Sequence, residues 1–179
     1  MPDEAEAHGL HALLLLQDAR RDARLAPDGE LVLMEDQDRE RWDMPEVEQG
    51  RTALDRALVL RRPGAYQLQA AIASLHFEPE TDWEQIALLY GRLITLVPSP
   101  VVELNRAVAV AMADGPEAGL ELLDAISGLD DYYLYHSARA DLLRRLGRPA
   151  ATDYERALAL APSEVERSFL RRRQDLLAP

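Results

Sequence analysis

The sequence predicts an all-α protein made of stacked helical hairpins, and three observations lead to this prediction. Similar segments recur along the chain at an interval close to the length of one hairpin. Residues that start and stop helices divide almost the whole chain into consecutive amphipathic segments. Ala, Leu and Arg dominate the composition, and the β-branched clusters that strands prefer are missing.

The recurring segments indicate the hairpin length. Residues 92–99 (RLITLVPS) have a counterpart in residues 156–163 (RALALAPS), and a tyrosine, Tyr90 or Tyr154, stands two residues before each. A looser copy occupies residues 56–60. The spacing of the three copies fits a period in the low-to-mid thirties. We therefore expect a tetratricopeptide-like α-solenoid of about four helical hairpins followed by a C-terminal capping helix.

Capping signals set the bounds of the predicted helices. Three residue pairs have the spacing of a capping box, in which side chains satisfy free amides at a helix start: Asp43/Glu46, Thr81/Glu84 and Ser163/Glu166. Pro100 follows Ser99 as a first helical residue, and Gly115 and Gly147 end helices because glycine tolerates a positive φ. The predicted helices span residues 3–24, 44–61, 64–78, 82–97, 100–114, 116–127, 131–146, 149–161 and 164–177.

Apolar residues follow a helical rhythm within these bounds. One face of the fourth helix carries Trp83, Ile86, Tyr90, Leu93 and Val97 at steps of three and four residues. Val165, Phe169 and Leu176 give the last helix one apolar face. That pattern is typical of a helix that caps a stack.

A long loop insertion near residues 25–43 departs from the repeat. It begins with the turn signal Pro27-Asp28-Gly29, continues with an apolar run at residues 31–34 and ends in a polar run at residues 35–43. Loops of this length in compact domains are usually functional or disordered. The apolar run favours a packed segment, in part extended, that lies across helices. No other linker interrupts the chain, so we expect one domain over residues 1–179.

Charge and composition limit the function. The chain has a net charge of −12, and all 20 of its basic residues are arginine. Nucleic-acid binding depends on basic side chains that neutralise phosphates, so we expect no direct contact with nucleic acid. Either the charge serves solubility, or it attracts a basic protein or a basic neighbouring domain. The lack of cysteine, of a signal peptide and of a long apolar run predicts a cytoplasmic protein that does not enter the membrane.

Several segments carry a resemblance to a known family: residues 18–21, residues 33–39 with Trp42-Asp43, residues 99–111 and residues 138–148. They are similar to the C-terminal extension of a subgroup of extracytoplasmic-function (ECF) bacterial RNA polymerase sigma factors, and the similarity covers nearly the whole chain. The resemblance implies a tetratricopeptide-like domain that supports or regulates transcription initiation. The implied partners are the sigma factor's DNA-binding domains in cis, core RNA polymerase or a regulatory protein.

Some features depart from the family pattern. The two sigma domains have no counterpart in these residues, since we find neither a basic helix-turn-helix nor a promoter-melting segment. Family-like sequence directly after Met1 predicts a fragment with an added start residue. His8 and His11 stand where aliphatic residues are expected, and the turn after Gly147 is short.

The most distinctive candidate site is a polar cluster within the first two motifs: Asp18, Arg20, Arg21, Asp36, Asp38, Arg39, Trp42 and Asp43. One interpretation is structural, with Asp–Arg forks that hold the insertion on the first helices. The other is a docking surface for a basic sigma domain. Asn105 and Arg106, in a helix rich in Ala and Val, form either an interhelical bridge or part of a peptide-binding groove.

Signatures of catalysis are missing from the sequence. We find no nucleophile elbow, phosphate-binding glycine loop or zinc-protease motif, and the pair His8 and His11 has no further strong ligand close in sequence. We therefore expect no enzyme activity, no cofactor and no metal. The leading hypothesis is the regulatory, protein-binding extension of a sigma factor. The alternative is a freestanding adaptor that binds a peptide or protein.

Overall fold

A computed structural model describes residues 4–175 and confirms the all-α class. Its helices are α1 (Ala5–Asp18), α2 (Met44–Val59), α3 (Ala65–Leu75), α4 (Trp83–Leu96), α5 (Pro100–Ala113), α6 (Pro116–Asp124), α7 (Tyr133–Arg145), α8 (Ala151–Leu160) and α9 (Glu164–Asp175). Each overlaps one of the predicted helices. The predicted start at residue 3, the predicted end at residue 177 and the predicted contact of Leu176 lie outside the described residues. No helix within residues 4–175 is long and apolar enough to cross a membrane.

Side-chain caps start α2 and α9 as predicted. Asp43 Oδ1 accepts a hydrogen bond from the Glu46 amide at 3.0 Å, and α2 begins at Met44, directly after Asp43. Ser163 Oγ accepts one from the Val165 amide at 3.2 Å before α9. Each bond satisfies an amide that has no partner within its helix.

The predicted cap of α4 is wrong by one residue. Asp82, and not Thr81, accepts the hydrogen bond from the Gln85 amide at 2.8 Å. A carboxylate also complements the positive end of the helix dipole, which favours aspartate over the neighbouring threonine. The apolar face of α4 is confirmed at Ile86 and Leu93, which are buried, but Val97 lies beyond the helix and is exposed.

One compact unit contains α1 to α4, within residues 4–26 and 32–98. Helix α1 packs against both α2 and α3, and α4 packs against α3. A Cβ at Gly50 of α2 would lie 2.8 Å from Leu16 Cγ in α1, so glycine permits this close approach. The core consists of Ala12, Leu16, Ala19, Ala23, Trp42, Val47, Ala53, Leu54, Ala70, Ala73 and Phe77.

A second compact unit contains α5 to α9, within residues 27–31 and 99–175. Helices α5 and α6 form one hairpin and α7 and α8 another, while α6 packs on α7 and α9 on α8. The hairpin turns use Gly115 (φ 102°) and Gly147 (φ 66°), as predicted. Tyr154, Leu123 and Leu170 are fully buried at the centre of this unit's core.

Candidate functional site

The long insertion begins earlier than predicted, because α1 ends at Asp18 and not near residue 24. Arg24 Nη2 donates to the Gln17 carbonyl oxygen at 2.6 Å and to Gln17 Oε1 at 3.1 Å. The arginine thus satisfies a carbonyl that a continuing helix would have bonded. Residues 19–43, hereafter the insertion, contain no α-helix and include short 3-10 turns at Arg21–Ala23, Met34–Asp36 and Arg39–Arg41.

Arg20 is a buried cation within the insertion, with 6% of its surface exposed. Its guanidinium donates to Gln17 Oε1 at 3.0 Å and to Gln37 Oε1 at 3.5 Å, and it contacts the Met34 sulfur. Burial, and to a lesser degree repulsion from Arg24, lowers the pKa of Arg20 to about 10. A buried charge requires hydrogen-bond partners, so these neutral acceptors tie the middle of the insertion to the end of α1.

Arg39 and Trp42 fasten the end of the insertion to α3. Arg39 donates to the Glu78 carbonyl oxygen at 2.7 Å and to the His76 carbonyl oxygen at 3.4 Å, and its guanidinium carbon lies 4.9 Å from the centre of the Trp42 ring. The buried Trp42 meets Phe77 edge to face at 5.0 Å. The cation lies at the carboxyl end of α3, where free carbonyls and the helix dipole favour positive charge.

Two aspartates of the predicted cluster cap local turns. Asp38 Oδ1 accepts from the Glu40 amide at 3.0 Å, while Asp43 caps α2 through its side chain. The Asp43 amide donates to the Ala19 carbonyl oxygen at 2.8 Å, which joins the two ends of the insertion. Both residues therefore have local structural roles.

These contacts support the structural interpretation of the cluster. The bonds that hold the insertion are, however, not the predicted Asp–Arg forks. Within residues 4–175, the one ion pair between predicted residues of the cluster is Arg21 with Asp18, at the end of α1. Asp36 is exposed and pairs with neither Arg20 nor Arg21 there. Asp18, Arg21 and Asp36 consequently remain at the surface.

Asp18 and Arg21 border an open groove of about 480 Å³ formed by α1, the first 3-10 turn and the start of α2. We call it the α1–α2 groove. Its lining is His11, Leu14, Leu15, Gln17, Asp18, Arg21, Arg24 and Glu46. Aliphatic side chains surrounded by charged ones are typical of surfaces that bind protein segments.

Glu46 contributes an unsatisfied polar atom to this groove. Its Oε2 is shielded from solvent and accepts no hydrogen bond from the described residues. Partial burial, and then the neighbouring Asp18 carboxylate, raise the pKa of Glu46, while Arg21 opposes them. The sequence pointed to Glu46 only as a capping partner of Asp43. The Asp43 amide bonds to Ala19 and not to Glu46, and the Glu46 carboxyl instead interacts with the Asp18 carboxyl and the Arg21 guanidinium.

Asn105 and Arg106 do not form the interhelical bridge that was one of their two predicted roles. Asn105 is exposed and Arg106 is partly exposed, and within residues 4–175 neither side chain forms a hydrogen bond or an ion pair. Val101 and Val108 lie one turn to either side of Asn105 and are also exposed. Helix α5 therefore presents a short apolar stripe with an amide at its centre.

A polar network in the second unit was missed by the sequence analysis. Arg139 in α7 donates to Asp124 of α6 at 2.8 Å and to Asp153 of α8 at 2.7 Å. The hydrogen bond with Asp124, followed by that with Asp153, raises the pKa of Arg139 against the effect of burial. Arg139 lies within one of the family-like segments, but its partners have no local signature that would reveal the pairing.

Comparisons with known proteins assign no activity to this site. Residues 1–58, which include the whole α1–α2 groove, match a family of unknown function (DUF6596). The chain is 48% identical over 184 residues to an uncharacterized protein of Rhizobium meliloti, covering 99% of this chain and 44% of that protein. It is 33% identical over 90 residues to serine/threonine-protein phosphatase T of Trypanosoma brucei brucei, covering 49% of this chain and 19% of that protein.

The chain therefore spans less than half the length of both relatives. No solved structure matches the chain.

Proposed function

We propose that this chain is the C-terminal regulatory extension of an ECF sigma factor and acts through protein contacts without catalysis. It would support transcription initiation by binding the sigma domains in cis, core RNA polymerase or a regulatory protein. The proposal starts from the four family-like segments, which are distributed between residues 18 and 148 of the chain. The length of the Rhizobium meliloti relative is compatible with it, since more than half of that protein lies outside the alignment.

The single observation that carries the proposal is that the residues of the first two motifs fall into two groups, one with internal structural contacts and one at an open surface. Arg20, Arg39 and Trp42 are used internally, because they hold the insertion against α1 and α3. Asp18 and Arg21 instead border an open groove. A binding domain needs this arrangement, in which some residues make the surface rigid and others are left to meet a partner.

Charge and architecture agree with a protein partner. Packed helical hairpins build extended surfaces that many repeat proteins use for binding. A net charge of −12 opposes contact with DNA but attracts basic protein surfaces, and DNA-binding sigma domains are basic because they neutralise phosphates.

A pull-down with purified components tests the proposal. The immobilised chain is incubated separately with isolated sigma domains and with core RNA polymerase, at a low and a high salt concentration. We expect one of them to be retained, more strongly at low salt, because charge complementarity contributes to the contact. An unrelated helical protein of similar negative charge is the control. Equal retention by that control, or no retention of either component, would exclude the sigma domains and core RNA polymerase as partners and leave only a regulatory protein.

The exposed stripe on α5 favours a second candidate function, a freestanding adaptor that binds a peptide. Asn105, between Val101 and Val108, offers amide hydrogen bonds to an extended backbone beside two apolar contacts. In this case Asn105→Ala should abolish capture of a peptide selected from a library without changing the melting temperature. If no peptide binds, or if Asn105→Ala binds equally well, the adaptor function is excluded.

A further inference from the structure

Positive charge is concentrated at the turn between α2 and α3, in a chain whose net charge is −12. Arg56, Arg61 and Arg62 are all exposed there, and their side chains form no hydrogen bond or ion pair within residues 4–175. No aspartate or glutamate occurs between Asp55 and Glu78. The three guanidinium groups therefore have no carboxylate partner in their own part of the chain.

Glu6 of α1 reaches this turn from a neighbouring helix, but its carboxyl is already used. The carboxyl occupies the space that a Cβ at Gly64 would need, and its oxygens accept hydrogen bonds from the amides of Tyr66 at 3.0 Å and Gln67 at 3.3 Å. Glu6 thus satisfies the start of α3, where free amides and the helix dipole favour a negative charge. The arginines of the turn are left to meet an anionic group from another molecule.

Two exposed aliphatic side chains accompany these charges. Val59 is 78% exposed, more than any other large hydrophobic residue within residues 4–175, and Leu58 is 53% exposed. Arg56 and Val59 are three residues apart on α2, so their side chains are neighbours on the helix surface. One exposed aliphatic residue is ordinary, but an adjacent pair bordered by three unpaired cations is typical of a contact surface.

The backbone of Arg61 supports a role for this turn beyond folding. Its φ of 51° lies in the left-handed region, which glycine adopts readily and arginine does not. Within residues 4–175 the Arg61 side chain forms no hydrogen bond or ion pair that would offset this cost. Residues held in such conformations cluster at binding and active sites, where the side chain has a use that folding does not require.

We propose that Arg56, Leu58, Val59, Arg61 and Arg62 form a docking site, the α2–α3 turn surface, for a short acidic segment of a partner protein. Carboxylates of that segment would pair with the guanidinium groups, which present donors in the geometry that carboxylates accept, and its aliphatic residues would cover the exposed pair. The inference goes beyond the proposed function, because this surface selects the opposite charge from that of basic sigma domains.

Positive charge alone would also admit a nucleic acid or an anionic membrane. Both are extended polyanions, and they would bring charge within about 10 Å, the screening length in moderate salt, of the acidic remainder of the chain. A short peptide segment confines its carboxylates to the turn and so avoids that repulsion. An acidic polypeptide is therefore the occupant that the charge distribution favours.

Two substitutions remove the charge and the apolar contact separately. Arg62→Gln removes one guanidinium, while Val59→Thr exchanges a methyl group for a hydroxyl of nearly the same size. Both positions are exposed, so the melting temperature should not change. The matched control is Arg92→Gln, which removes an exposed arginine of α4 that likewise has no side-chain partner within residues 4–175.

The probe is a synthetic peptide of glutamate, leucine and alanine, titrated at low ionic strength into the isotope-labelled chain and followed by NMR. We expect shifts at Val59, Arg61 and Arg62, and affinity about threefold weaker for Arg62→Gln and for Val59→Thr. Arg92→Gln should bind like the wild type, and a peptide with glutamine in place of glutamate should cause no such shifts. Equal weakening by Arg92→Gln, or the absence of shifts at the turn, would overturn the proposal.

Vesicles of phosphatidylcholine with phosphatidylserine and a labelled DNA duplex are the comparison ligands. We expect neither to bind the chain. If one of them binds and Arg62→Gln weakens that binding, while the glutamate peptide causes no shift, the turn recognises that polyanion and the proposal of a protein partner is wrong. The pull-down of sigma domains and core polymerase tests the proposed function separately, so failure of the α2–α3 turn surface would leave that function standing.

Discussion

Arg61 has a backbone conformation that its residue type disfavours. It follows the end of α2 with φ 51°, in the left-handed region where helices usually place glycine. We expect Arg61→Gly to raise the free energy of unfolding by about 0.5–1 kcal/mol, since relief of the strain exceeds the added entropy of the unfolded chain. Chemical denaturation measures the change.

The control for this variant is Arg62→Gly, which removes the same charge from an exposed neighbour that lacks the positive φ. It should not stabilise the protein. An equal gain from both variants would mean that lost charge, and not backbone strain, is responsible.

His76 should make the stability of the protein depend on pH. Burial, followed by repulsion from Arg20 and Arg39, lowers the pKa of His76 from 6.5 to about 4. Because the unfolded state takes up the proton first, stability present above pH 6.5 is lost as the pH falls toward 4. The loss attributable to this residue is as much as about 3 kcal/mol.

Thermal melts of His76→Phe between these pH values check this expectation. The variant keeps a ring against Trp83, which His76 contacts edge to face at 5.3 Å, and it should flatten the pH dependence. The control variant His11→Asn alters an exposed histidine and should leave the slope unchanged. A slope that survives in His76→Phe would assign the effect to other groups.

At the scale of elements, the α5–α6 hairpin depends on a small residue. A Cβ at Gly119 would lie 2.8 Å from the Ala107 carbonyl oxygen and would also overlap the Ala111 side chain. Helix propensity alone favours alanine over glycine by about 1 kcal/mol. We nevertheless expect Gly119→Ala to lower the free energy of unfolding by about 1–3 kcal/mol, because overpacking outweighs propensity.

Denaturant titration of Gly119→Ala, beside Glu121→Ala on the exposed face of α6, measures this difference. The exposed substitution should change stability by less than about 0.5 kcal/mol. If Gly119→Ala were instead more stable than the wild type, α5 and α6 would have to lie farther apart than they do in this structure.

The ends of elements show where local sequence signals stop being sufficient. Thr81 and Asp82 are both good cap residues, and sequence spacing favoured the wrong one. Helix α1 was predicted to continue to residue 24, and residues 19–24 contain neither proline nor glycine. It ends at Asp18 because Arg24 turns back to Gln17 and Asp43 bonds to Ala19, and neither bond has a signature in the local pattern.

At the scale of the whole molecule, the net charge of −12 leads to a prediction about nucleic acid. We expect no binding to duplex DNA even at low salt, because a net negative surface repels phosphates. Fluorescence anisotropy with a labelled duplex measures this, and a strongly basic DNA-binding domain serves as the positive control. Saturable binding that weakens with added salt would contradict it.

The sequence by itself determined the all-α class, the approximate bounds of most helices within residues 4–175, and some of the residues that turn toward a core, although Val97 and Val165 of the predicted apolar faces are exposed. These features follow from spacings of three and four residues and from caps, which act between neighbours in the chain. Only the tertiary structure decided that Arg20 is buried among neutral acceptors, that Arg139 joins three helices, and that the Glu46 carboxyl lies beside that of Asp18 in a groove. Such roles depend on residues brought together from distant parts of the chain, so local sequence carries no record of them.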